Sequence, residues 1–340
     1  MTGPPPEWSS DQSSDRVLRS SGTAGARPVI ALTVGDAAGV GPELALRVAA
    51  DPWVRRRCRP VVYGPAKVLR CIAQRLSLAV PNAIVDGGNL DADGVIPGQF
   101  SAATGRASFT AVTTAIDDAL AGRVDAVVTG PIQKEAWRAA GIDFPGHTEL
   151  FAERTGTDDY AMMLVGEPLA CVLVTIHIPL ADVPSSLSTD EVLRIITLAA
   201  PVAASRSRRY HRPPTIAVLG LNPHAGENGM MSHGEEDRII TPAIEAARQR
   251  GIDVDGPLPP DTAFTSAARN RYSAHVCMYH DQGLIAIKTL CFETGINVTL
   301  GLPIVRTSVD HGTAMDLAGR GVADPSSMIA AITEAALLVR

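Results

Sequence analysis

The stretch MYHDQGLIAIK, residues 278–288, sets His280, Asp281 and Gln282 directly after an apolar run and closes on Lys288, one of only three lysines in the chain. An imidazole beside a carboxylate suits metal ligation or proton transfer, and a nearby ammonium suits an anionic substrate. Two more histidines end apolar runs in the same way: His177 in VTIHIPL and His224 in GLNPHAGENG. Taken singly, such residues are more often structural than ligating. Three imidazoles converging at one sheet edge would make a nitrogen-rich site for zinc, with magnesium or cobalt as alternatives, and would leave positions open to substrate. His311, in SVDHGTAMD, is a rival fourth.

Other polar groups surround this theme. Asp261, in GPLPPDTAF, and Asp281 are carboxylates that would take a hydroxyl proton or hold a histidine in its ligating tautomer. FPGHTELFAERTG places His147, Thr148 and Glu149 at a helix start, where free backbone N–H groups favour an anion. Asn297 and Arg306 lie in NVTLGLPIVRTSVDHGTAMDLAG, and an arginine emerging from an apolar run is either paired internally or aimed at a carboxylate or phosphate. The glycines of TVGDAAGVGPE match neither a dinucleotide fingerprint nor a Walker loop, so that turn is equally a plain strand-to-helix connection or a backbone contact for a ligand. Lys134, in VTGPIQKEAW, reads as an exposed helical lysine.

Positioning these groups falls to short β-branched runs alternating with amphipathic segments. PVIALTV, PVVYG, VDAVVTG, ACVLVTI, TIAVLG, HVCMY and INVTLG are the best strands, and most are apolar nearly throughout, as strands covered on both faces are. GRASFTAVTTAIDDALAG carries one helical stripe at Phe109, Val112, Ile116 and Leu120, and STDEVLRIITLAAPVAAS opens on a cap signature. The expected fold is a three-layer α/β/α arrangement of two lobes sharing a core over residues 27–340, with the active-site cleft between the lobes. Residues 1–26, rich in Ser, Pro and Gly and without an apolar h-region, read as a disordered tail.

With 46% hydrophobic and 19% charged residues and a formal charge of -6, the chain has no electrostatic bias toward nucleic acid or an anionic membrane. Its five cysteines form no CxxC pair, which fits free thiols in a reducing cytoplasm.

Motif after motif, residues 27–337 resemble the 4-hydroxythreonine-4-phosphate dehydrogenase family, NAD-dependent enzymes of vitamin B6 biosynthesis and their relatives. The resemblance rests on GDAAGVGPE, TGPIQKEAW, FPGHTE, GLNPHAGE, GPLPPDTAF, YHDQG and NVTLGLPIVRTSVDHGTA, in that order. The family commonly has GDPAG where this chain reads GDAAG. The likeness implies an isocitrate/isopropylmalate dehydrogenase-like fold that binds NAD, or alternatively NADP, without the usual glycine fingerprint; it assigns no cofactor-binding residues here. It implies His177, His224 and His280 as divalent-metal ligands contributed across a homodimer interface, and His147, Thr148, Lys288, Asn297 and Arg306 as contacts to a phosphorylated hydroxy acid. Asp281, Asp261 and Lys288 are the candidate proton carriers. Oxidation and decarboxylation of 4-phosphohydroxy-L-threonine is the leading expectation. D-threonate or D-erythronate 4-phosphate oxidation is the alternative, and an inactive metabolite-binding relative is a third.

Overall fold

A computed structural model describes residues 27–339; the expected tail at residues 1–26 lies outside the described residues. The chain divides into two compact units, one running through Asp143 with Thr313–Ala323 added, the other comprising Phe144–Gly312 and the segment from Asp324 onward.

In the first unit four parallel strands, β1 (Val29–Thr33), β2 (Arg59–Gly64), β3 (Ile84–Asp86) and β4 (Ala126–Thr129), lie in the order β3-β2-β1-β4. Every residue of β1 and β4 is buried, as sequences without polar alternation require when helices cover both faces. The helix Ala102–Leu120 starts on a reciprocal cap: Thr104 N–H donates to Ser101 Oγ at 3.2 Å and Ser101 N–H to Thr104 Oγ1 at 3.0 Å. Val112 and Ile116 of its expected stripe are fully buried, and Phe109 packs edge-on against Trp137. Leu120, in the last turn, is exposed instead.

The turn after β1 is built as a structural tie. Gly35 has φ +70°, and a Cβ there would stand 2.1 Å from the Pro131 carbonyl oxygen, so a side chain is excluded. Asp36 is wholly buried, accepts from Ala38 N–H and from Thr104 Oγ1, and has its pKa raised by burial despite those bonds. Glu43 accepts from the backbone N–H groups of Gly321 and Ala323, which fastens the returning segment to this unit.

The second unit contains β5 (Ala161–Gly166), β6 (Leu169–Leu173), β7 (Ile216–Leu219), β8 (Val254–Leu258), β9 (Ala274–Cys277), β10 (Ile296–Leu300) and β11 (Val305–Val309), ordered β11-β10-β5-β6-β9-β7-β8. The β11, β10, β5 and β6 neighbours are antiparallel, whereas β6, β9, β7 and β8 run parallel. Four strands, β3, β5, β8 and β11, are absent from the sequence reading. β8 contains Gly256 and Pro257 and looks like a loop; it is tolerated because it ends this unit's strand order, where a missing donor goes unused. The helix Thr189–Tyr210 runs five residues beyond its expected end and keeps Pro201 within it. All five cysteines are free thiols, and no described helix is long and apolar enough to cross a membrane.

Candidate active site

The parallel strands β6, β9, β7 and β8 are neighbours in that order, and the segment after each carries one of the expected polar residues. His177 follows β6, His280 follows β9, His224 follows β7 and Asp261 follows β8. Ligands in open α/β sheets are bound where strands end at their carboxyl side, and here the sheet order itself lines up the chemistry.

His280 is the first residue of the helix His280–Cys291 rather than the end of a strand. Its Nδ1 meets Asp281 Oδ1 at 2.7 Å; in the neutral ring a carboxylate partner puts the proton on that nitrogen and leaves the lone pair on Nε2. The His177 ring lies 5.5 Å from the His280 ring, centroid to centroid, tilted by 48°. Both rings line a groove of about 250 Å³ with Ile176, Ile178, Leu180 and Tyr279. His177 also lines a larger cavity of about 600 Å³, whose wall includes Thr148, Glu149, Asn297, Thr299 and Arg194.

His224 lines neither of these two cavities. It belongs to the turn Pro223–Gly229, in which His224, Ala225, Gly226, Glu227 and Asn228 all have positive φ between 42° and 81°. For non-glycine residues that conformation is strained, and a buried carboxylate braces the start of the turn: Glu236 accepts from Asn222 N–H at 2.8 Å and from Asn222 Nδ2. Burial pushes the Glu236 carboxyl up, but the Asn222 hydrogen bonds outweigh it and hold the pKa below the ordinary value. Among the described residues, no three His, Cys, Asp or Glu side chains gather closely enough to hold a metal; of the expected ligands, the His177 and His280 rings are the pair shown close to one another.

The expected substrate residues divide similarly. His147 and Thr148 are the first two residues of the helix His147–Thr155, and Thr148 faces the larger cavity with Asn297 of β10. Arg306, on β11, is buried; its Nη1 donates to Thr299 Oγ1 at 2.9 Å and its guanidinium lies over the Phe151 ring. Burial lowers its pKa to about 10, against the opposing pull of Glu149. It reaches the cavity wall through Thr299 and is not itself a lining residue. Lys288, two turns along the helix from His280, is ion-paired with Asp310, a partner the sequence reading passed over. Asp261 is exposed on the short helix Pro260–Ala263, His311 bonds the Gly312 carbonyl, and Lys134 is an exposed helical residue.

A sheet that presents imidazoles, carboxylates and a polar cavity along its strand ends belongs to an α/β enzyme, and the similarities of the chain make that enzyme a dehydrogenase. Residues 56–335 match the family described as pyridoxal phosphate biosynthetic protein PdxA, and the chain belongs to that family. A 4-hydroxythreonine-4-phosphate dehydrogenase of Desulforapulum autotrophicum is 48% identical over 328 residues, covering 92% of this chain and 95% of the relative. A D-threonate 4-phosphate dehydrogenase of Cupriavidus necator is 43% identical, covering 92% and 97%. The crystal structure of a 4-hydroxythreonine-4-phosphate dehydrogenase from Burkholderia phymatum superposes with a TM-score of 0.81 at 41% identity, covering 92% of this chain and 99% of that one.

Proposed function

We propose that the protein oxidises the secondary alcohol of 4-phosphohydroxy-L-threonine to a ketone and releases the carboxylate β to that ketone as CO₂, giving an aminoketone phosphate. The observation that carries this reading is the placement of His177, which lines the larger cavity with Thr148 and Asn297 and also meets His280 in the groove of Ile176, Ile178, Leu180 and Tyr279. The cavity of about 600 Å³ is large enough for a small phosphorylated acid. NAD, with NADP as the alternative, would supply the hydride acceptor.

The paired rings and the Asp281-held Nδ1 of His280 fit a divalent cation, zinc before magnesium or cobalt. Such a cation would act as a Lewis acid toward the substrate's alcohol oxygen. Its third ligand in this proposal is His224 of the partner subunit in a homodimer with shared sites. That assignment is supported by the lack of a three-ligand cluster among the described residues, and by exposed Leu180 in the groove and exposed Met230 and Met231 beyond His224.

Asp281, beside His280, or Asp261 takes the hydroxyl proton, directly or through water. Thr148 and Asn297 hold the substrate's polar groups, and Lys288 holds its phosphate or carboxylate or returns a proton to the enolate after CO₂ leaves.

The relative named for D-threonate 4-phosphate favours a second reading, oxidation of a four-carbon sugar-acid phosphate on the same machinery. Following NADH formation by the purified protein with a divalent metal decides between them, using 4-phosphohydroxy-L-threonine, D-threonate 4-phosphate and D-erythronate 4-phosphate in turn. Turnover of the amino acid in preference to both sugar acids supports the proposal. Preference for a sugar acid replaces it with the second reading, and silence with all three favours a metabolite-binding role.

A further inference from the structure

We propose that Gln282 is a positioning residue that fixes the spacing of the His280 and His224 segments, as one link in a buried polar line across the ends of four strands. The inference deepens the proposed site and takes its ligand assignment from that reading. The line begins at β6, where Thr175 N–H and Thr175 Oγ1 both donate to the Met278 carbonyl, the hydroxyl at 2.8 Å. Met278 N–H, just beyond β9, donates to Gln282 Oε1 at 2.7 Å. Gln282 Nε2 then donates to the Gly220 carbonyl, just beyond β7, at 2.8 Å. Gly220 N–H donates in turn to the Leu258 carbonyl at the end of β8, at 2.9 Å. The segments so joined carry His177, His280, His224 and Asp261.

Only an amide satisfies both of its partners here. The Met278 N–H can only donate and the Gly220 carbonyl can only accept, so the side chain in between must offer one oxygen and one N–H at fixed separation. Thr175 and Gln282 are 8% and 7% exposed, so a lost partner is not replaced by bulk water. Gly283 makes the reach possible: a Cβ there would lie 3.0 Å from Cys171 Cβ and 3.1 Å from Cys277 Sγ, so the bare glycine lets the helix start settle on β6 and β9. Backbone bonds alone would allow the strand ends to fray independently; the amide couples the β9 end to the β7 end, across which β-ladder pairing stops at Val218–Val276.

The test uses the full-length protein and two substitutions. Gln282→Met keeps the volume and removes both bonds, whereas Gln282→Glu keeps the acceptor for Met278 and removes the donor to Gly220. Amide exchange in the metal-free protein should become about tenfold faster at both 278–281 and 220–225 in Gln282→Met, and mainly at 220–225 in Gln282→Glu. Zinc affinity, measured by chelator competition with the metal alone, should fall about 10- to 100-fold in Gln282→Met. Ser327→Ala, which removes a buried bond to the Gly295 carbonyl elsewhere in the same unit, should lower Tm but leave exchange at 220–225 and zinc affinity unchanged. Unaltered exchange at 220–225 in Gln282→Met overturns the proposal, as does zinc affinity in Gln282→Met equal to that of Ser327→Ala. If the wild type binds no zinc, the proposed metal site fails, and the exchange pattern still decides whether Gln282 couples the two segments.

Discussion

The ammonium of Lys288 is held by the carboxylate of Asp310, joining the helix that begins at His280 to the segment that follows β11. The ion pair anchors a flexible point charge and leaves it over one-third exposed. Lys288→Met should raise KM for the phosphorylated substrate about 10- to 100-fold, the loss expected of a hydrogen bond to a charged group. Asp310→Asn, which keeps the shape but frees the ammonium, should change KM far less. Steady-state kinetics of the two variants checks the contrast, and equal losses would show that the ion pair is only structural.

Asp281 is exposed and its bond is to His280, so its removal should cost function without costing the fold. Asp281→Asn is expected to weaken zinc binding about 10- to 100-fold while leaving Tm unchanged. Chelator competition and thermal unfolding of the same preparation measure both.

Thr299 holds the buried guanidinium of Arg306. Thr299→Val leaves a desolvated N–H without that acceptor and should destabilise the protein by about 1–3 kcal/mol, read from the urea midpoint at constant m. A neutral result would mean that the guanidinium is satisfied without Thr299.

His275 is buried on β9, with Nε2 at 3.2 Å from the Ala263 carbonyl, and burial lowers its pKa from 6.5 to about 4. The depressed value means that the unfolded chain takes up a proton before the folded one. The stability present above pH 6.5 is therefore lost as pH falls from 6.5 toward 4, by roughly 3 kcal/mol from this residue. His275→Phe should flatten that part of the stability–pH curve, measured by denaturant unfolding at several pH values. An unchanged slope would assign the acid sensitivity elsewhere.

The sequence alone determined the character of most elements and the cast of the site. Short, β-branched apolar runs such as VIALT and LACVL read as strands covered on both faces, and a histidine or aspartate placed just past such a run comes out near a strand end. Those inferences are local, because they depend on side-chain period and on neighbours a few residues away. Strands whose polarity or prolines mimic loops, β8 and β11 among them, were illegible because pairing across the sheet, not local preference, makes them strands.

Which residues meet was decided by the tertiary structure. The order β6-β9-β7-β8 sets His177 beside His280 and lets Gln282 reach the carbonyl of Gly220, 62 residues earlier in the chain. Asp310 and Thr299 became partners of Lys288 and Arg306 for the same reason. Sequence spacing carries no information about such contacts, since they depend on sheet order and on which buried groups must find a hydrogen-bond partner once water is excluded.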